Sequence, residues 1–223
     1  MALILNIDTA TETAGISLAQ DGNVLLEKSN PLQRDHAAWI HVAIAQMLKE
    51  AAVSINAVQA IAVVGGPGSY TGLRVGMATA KGIAYSKDIP LIVLNTLELM
   101  SFAASGYAEP ADLLCPMLDA RRMEVFTAIY DATLKTLLAP CAMVLDTESF
   151  KDWSSNNRIL FFGSGAEKWK NLQSHDNLVF LASNYGQNHT STFSNRRYIA
   201  KEFDSLAYST PIYIKDFHSN RPN

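Results

Sequence analysis

Apolar and polar positions alternate in short runs from the first residues. Leu3 to Ile7 is an apolar run that closes at Asp8. A second spans Ala14 to Ala19, and a third, Val24 to Leu26, follows the Asp21-Gly22 pair. Asp-Gly between short β-forming runs marks a hairpin, so three antiparallel strands are expected here. From about Asp35 to Ala52 the period becomes helical, with Ala37, Ile40, Ile44, Met47, Leu48 and Ala51 on one face, which leaves His36 off that face and His41 beside it. A strand, "AIAVV" from Ala60, then leads into "GGPGSYTGLRVG" and a further helix. "PLIVLNTLELMSFAAS" reads as another strand and helix.

The pattern then repeats. "LLCPMLDARRMEVFTAIYDATLKTLL", from Leu113, again gives a strand closing at an aspartate (Asp119), a turn, a strand from Val125 to Ile129, a turn at Asp131 and a third strand. Later "RILFFGSGAEKWKNL" again gives strand, glycine loop and helix. Two α/β subdomains of related topology follow, residues 1–105 and 106–223, joined near Ser105 to Pro110. This is the layout of the duplicated ribonuclease-H-like fold of the actin, sugar kinase and Hsp70 ATPase class.

With 223 residues, 48% of them apolar, the chain can bury a substantial core, and its net charge of -3 provides no electrostatic footprint for gripping nucleic acid unaided. Cys115 and Cys141 form no CxxC or Cys/His cluster, so neither a disulfide framework nor a zinc site is indicated. "MALILNIDTA" reaches Asp8 too early for a signal-peptide core, and no apolar run has the length of a membrane span. A cytoplasmic protein without a membrane association is expected.

An ATPase of this class needs close backbone approach to phosphate in the turns after the first strand of each half. Here the turns read "DTATET" and "DARRME", with Ala10 and Arg121 where glycine would serve. Asp8 and Asp119 suit either a magnesium site or an ordinary strand end. His36 and His41 are five residues apart, about 140° around a helix, whereas two histidines sharing a metal want four. His175, His189 and His218 fall in polar segments, and Ser69 has no identifiable base.

The glycine loop is neither Walker A, because Leu73 and Arg74 follow Gly72, nor GxGxxG. An anion contact at Gly66, Gly68 and Ser69 is permitted by the free amides of a helix start, with Arg74 in the first turn. The helix lines up Gly72, Gly76, Thr79 and Ile83 on one face. Glycine within a helix is unfavourable by about 1 kcal/mol against alanine, which points to close approach by a neighbour. That neighbour is either internal or a partner subunit.

"ILNIDTAT", "GGPGSYTGLRVGMATAKGIA", "LDARRMEVFTAIY", "FFGSGAEKW" and "PIYIKDF", in this order and nearly from end to end, resemble the TsaB (YeaZ) family. The resemblance implies a non-catalytic subunit needed to form threonylcarbamoyladenosine (t6A), 3′ of the anticodon in tRNAs reading codons that begin with A. It implies pairing with a TsaD-type transferase as a heterodimer and a later encounter with a TsaE-type ATPase, with tRNA met only through the complex. It also implies a homodimer through the same surface when the partner is absent. No cofactor is called for, and room is left for a nucleotide at the partner interface. The expected partner surface joins His36, Trp39 and Ile40 of the first helix to Gly72, Arg74, Gly76, Thr79 and Ile83 of the second. The alternative is an ATP-dependent enzyme of the same fold, a small kinase or a glycoprotease-like metallopeptidase. A self-contained tRNA-binding module is disfavoured by the charge.

Overall fold

The first hairpin forms as the Asp-Gly signal requires, with Asp21 and Gly22 both at positive φ (50° and 85°). It joins β2 (Ala14–Gln20) to β3 (Asn23–Asn30), and β2 pairs antiparallel with β1 (Leu3–Asp8). A computed structural model describes residues 1–31, 35–172, 178–182 and 185–215. Beyond the hairpin, α1 (His36–Glu50) leads to β4 (Ala60–Gly66), α2 (Tyr70–Lys87), β5 (Leu91–Asn95) and α3 (Thr96–Ala104). β4 and β5 add in parallel, giving a sheet of order β3-β2-β1-β4-β5.

The second half repeats this order. β6 (Leu113–Asp119), β7 (Glu124–Asp131) and β8 (Thr136–Val144) are antiparallel, while β9 (Ile159–Phe162) and β10 (Leu178–Leu181) extend the sheet in parallel, so that it reads β10-β9-β6-β7-β8. Two sheets of identical topology, each flanked by helices, are the duplicated ribonuclease-H-like fold expected from the sequence.

The layers follow from which face each helix covers. α1 and α2 lie on one face of the first sheet, burying Ile40, Ile44, Met47, Met77 and Ala84 against Leu5, Ile7, Ile16, Leu18, Ile61 and Val63. α3 occupies the space between the sheets: Leu99 packs with Ile4, Ala62 and Val64, and Leu97 and Met100 with Leu114, Leu160 and Phe162. The far face of the second sheet is sealed by Phe150 and by Trp169 of α5 (Ala166–Lys170), whose rings meet edge to face with centroids 5.4 Å apart. A short α4 (Lys151–Ser154) precedes β9.

The last helix alters the division at residue 105. α6 (Gln187–Ile199) crosses back and packs on the first sheet, next to α3. Small hydroxyl side chains make that approach: Thr190, Ser191 and Ser194 are fully buried. The Asn6 amide donates to Ser191 Oγ (3.2 Å), Ser194 Oγ donates to Asn6 Oδ1 (2.6 Å), and the Ser17 and Ser191 hydroxyls lie 3.0 Å apart. Satisfied buried polar groups fix a register that apolar contacts alone leave loose. The chain then runs along the edge strand: Asp204 N–H donates to Leu91 O (2.9 Å), and Asp204 Oδ2 accepts from Val93 N–H (2.7 Å). Residues 187–212 thus return to the first sheet, although the sequence division groups them with the second.

Candidate functional site: the glycine loop and the strand ends

The loop after β4 comes to rest on the chain's own backbone. Ser69 N–H donates to Ala10 O (2.7 Å), and the Ser69 side chain caps α2 by accepting from Gly72 N–H (3.3 Å). A Cβ on Gly68 would overlap the Ala10 carbonyl, one on Gly72 the Thr9 carbonyl, and one on Gly76 the Thr9 hydroxyl. Thr9 Oγ1 in turn donates to Gly72 O (2.7 Å). The small-residue face of α2 therefore exists so that the helix can lie against the end of β1. Gly66, at φ 123°, meets a different segment: Ile212 N–H donates to Gly65 O (2.7 Å), and the Ile212 carbonyl sits where a Gly66 Cβ would project. Only glycine accommodates both that φ and that neighbour. The second half shows the same device, with Gly165 N–H donating to Met117 O (2.9 Å) and Gly163 at φ 96°.

These contacts correct the expected partner surface. Gly72, Gly76 and Thr79 are turned inward, the internal alternative for the helix's neighbour. Ile40 is fully buried in the core of the first half. His36, expected off the apolar face, is 3% exposed. The inward stripe of α1 is His36, Ile40, Ala43, Ile44 and Met47, rotated from the expected one because His36 lies a full i, i+4 step before Ile40. Neither ring nitrogen of His36 has a hydrogen-bond partner among the described residues. Trp39 and Ile83 are half-buried against the same core, and Arg74 is exposed, its guanidinium 4.9 Å from the Tyr70 ring centre. The outward faces consist of other residues: Ala38, Val42 and Ala45 on α1, and Ala78, Gly82 and Tyr85 on α2. A Cβ on Gly82 would meet nothing within 4 Å.

The two strand-end aspartates differ. Asp8 is buried, its Oδ1 accepting from Ala10 N–H (2.9 Å). Burial raises its pKa to about 6, against the opposing pull of that N–H and of the Tyr185 hydroxyl beside it. The Tyr185 hydroxyl is buried outside hydrogen-bond geometry with any described residue, and its own pKa is pushed well above the usual value by burial and the Asp8 charge. Asp119 is exposed, held by Lys168 Nζ (2.7 Å) and Arg121 N–H (2.6 Å), and its pKa is lowered by those partners despite some desolvation. His189 Nδ1 accepts from Gly186 N–H (3.2 Å) at the start of α6, while His175 and His218 lie outside the described residues. Among the described residues no three His, Cys, Asp or Glu side chains are grouped to hold a metal, and no helix is long and apolar enough to cross a membrane.

A family model for TsaD, tRNA N6-adenosine threonylcarbamoyltransferase, matches residues 29–208. The chain is 37% identical over 127 residues to the tRNA threonylcarbamoyladenosine biosynthesis protein TsaB of Bacillus subtilis (strain 168) and 35% identical over 127 residues to that of Escherichia coli (strain K12). In both comparisons 57% of this chain and 54% of the relative are covered, so the match spans about half the length of these curated relatives. Among solved structures, YeaZ from Pseudomonas aeruginosa superposes with a TM-score of 0.77 at 23% identity, covering 96% of this chain and 100% of that one. At that identity the superposition shows the fold.

Proposed function

The chain belongs to the tRNA N6-adenosine threonylcarbamoyltransferase family, with TsaB (YeaZ) proteins among its relatives, and we propose that it is an accessory rather than a catalytic member. It pairs with a TsaD-type transferase, which forms t6A on tRNA, and meets a TsaE-type ATPase in the assembled complex. The observation that carries this reading is the filled glycine loop. Thr9, Ala10 and Ile212 take up the close approaches that a phosphate would need. Ser69 N–H and Gly72 N–H, at the start of the helix, are likewise engaged within the chain, which argues against this loop as an anion cradle.

The outward faces of α1 and α2 support docking through this side of the first sheet. They present Val42 at 56% exposure and Tyr85 at 80% among small residues, which allow another pair of helices to approach closely. The same face accounts for a homodimer in the partner's absence. Its centre is Gly82, in place of the inward-facing Gly76.

Gly82→Arg tests the docking. The substitution adds a long charged side chain at an open helix position, so the melting temperature of the isolated chain should not fall while analytical ultracentrifugation with the TsaD-type partner shows two separate species. Undiminished pairing would move the interface elsewhere. Tight magnesium-dependent ATP binding with turnover by the isolated chain would instead favour an ATP-dependent enzyme, with Asp8 as its first candidate.

A further inference from the structure

The turn between β6 and β7 holds two consecutive arginines in the left-handed region, Arg121 at φ 70° and Arg122 at φ 49°. That region favours glycine, so glycine fits both positions without strain while the arginines do not. Both residues are exposed, and neither forms an ion pair among the described residues. The neighbouring acids already have partners: Asp119 is held by Lys168 (2.7 Å), and Glu124 by Lys215 (2.8 Å). The two guanidinium charges are therefore surplus.

The turn is tied to the end of the chain, and through it to the first half. Glu124 pairs with Lys215, and two residues earlier the Tyr213 ring lies tilted at 5.1 Å from that of Tyr70, whose ring carries the Arg74 guanidinium. Tyr70 is 37% exposed and Tyr213 44%. Exposed cations together with accessible rings suit a nucleic-acid strand, in which guanidinium groups take phosphates and rings take unstacked bases.

We propose that this strip, Arg121 and Arg122 with Arg74, Tyr70 and Tyr213, is a direct contact for a single-stranded stretch of RNA. This rests on the reading of the chain as a subunit of a tRNA-modifying complex, and it adds a tRNA contact made by this chain itself. Because the whole chain is acidic, the strip does not hold tRNA unaided at physiological salt. Within a complex held together elsewhere, it adds its phosphate contacts to those of the partner.

The test is the double substitution Arg121→Gly with Arg122→Gly. Glycine relieves the backbone, so the melting temperature should not fall. In the complex with the TsaD-type partner, tRNA affinity should weaken about tenfold, and the slope of log K against log salt should shrink by about 1.5. Affinity for the partner should stay unchanged, and Arg121→Lys with Arg122→Lys should restore most of the tRNA binding. Unaltered tRNA affinity would overturn the proposal. So would a loss of partner affinity, which would make the arginines a protein contact. If the wild-type chain forms no complex at all, the subunit reading fails instead. Anisotropy of a labelled single-stranded RNA oligonucleotide with the isolated chain at low salt then decides the strip alone: binding lost in the double glycine variant supports it, and equal binding overturns it.

Discussion

Replacing Asp8 by asparagine should make the protein more stable at neutral pH. The carboxylate is 4% exposed, and burial lifts its pKa from 3.8 to about 6. Between those values the folded state keeps a proton that the unfolded state has lost, so stability falls as pH rises through this window and is level above it. Across about two pH units, at 1.36 kcal/mol each, the ionised carboxylate costs ~3 kcal/mol of folding free energy. Asparagine keeps an oxygen acceptor for Ala10 N–H and removes the charge. Recovery of ~1–3 kcal/mol at pH 7.5 is expected, which for a chain of this size raises the melting temperature by about 2–10 °C. Melting curves of both proteins from pH 4 to pH 8 provide the assay. The two should melt together near pH 4 and separate through pH 6, with the variant higher. A variant that melts lower at pH 7.5, or by a constant margin at every pH, would refute the reasoning and mean that Asp8 is ionised and well paired in the folded protein.

Other consequences follow from the packing. Gly72→Ala drives a methyl group into the Thr9 carbonyl and should destabilise the fold by ~2–4 kcal/mol in chemical denaturation. Gly82→Ala, at an open helix position, should instead stabilise it by about 0.5–1 kcal/mol in the same assay. Asn6→Leu removes one of the two buried partners of each of the Ser191 and Ser194 hydroxyls and should cost ~1–3 kcal/mol, with faster hydrogen exchange across α6. Burial pushes the Cys115 thiol up to about 12, so iodoacetamide at pH 8 should label it only when the protein unfolds.

The strand triplets were legible because their turns carry backbone chemistry: Asp21-Gly22 and Asp131 mark the hairpins whatever the tertiary context. The duplication followed from the same signals. α1 and α2 were legible as helices, but their orientation was not. His36 and Thr79 face inward although polar, since a histidine or threonine at the right spacing joins a buried stripe as readily as a surface one. The glycines of α2 announced a close approach without naming its partner, which only the fold supplies in Thr9 at the end of β1. α6 gave almost no signal. Its residues are mostly poor helix formers, and of its four buried positions only Phe193 is apolar, the others being Thr190, Ser191 and Ser194, which read as surface or loop. β10 was equally quiet: four residues long, it forms by adding to β9. The return of the chain to the first sheet after α6 lies in long-range pairing, Asp204 with Leu91 and Ile212 with Gly65, for which local sequence has no period.

Mass spectrometry of tRNA nucleosides from reactions containing the TsaD-type transferase, the TsaE-type ATPase and the threonylcarbamoyl donor, with and without this chain, tests its accessory role most directly. The account predicts t6A with the chain, almost none without it, and almost none with the Gly82→Arg variant. Undiminished t6A in the chain's absence would contradict it.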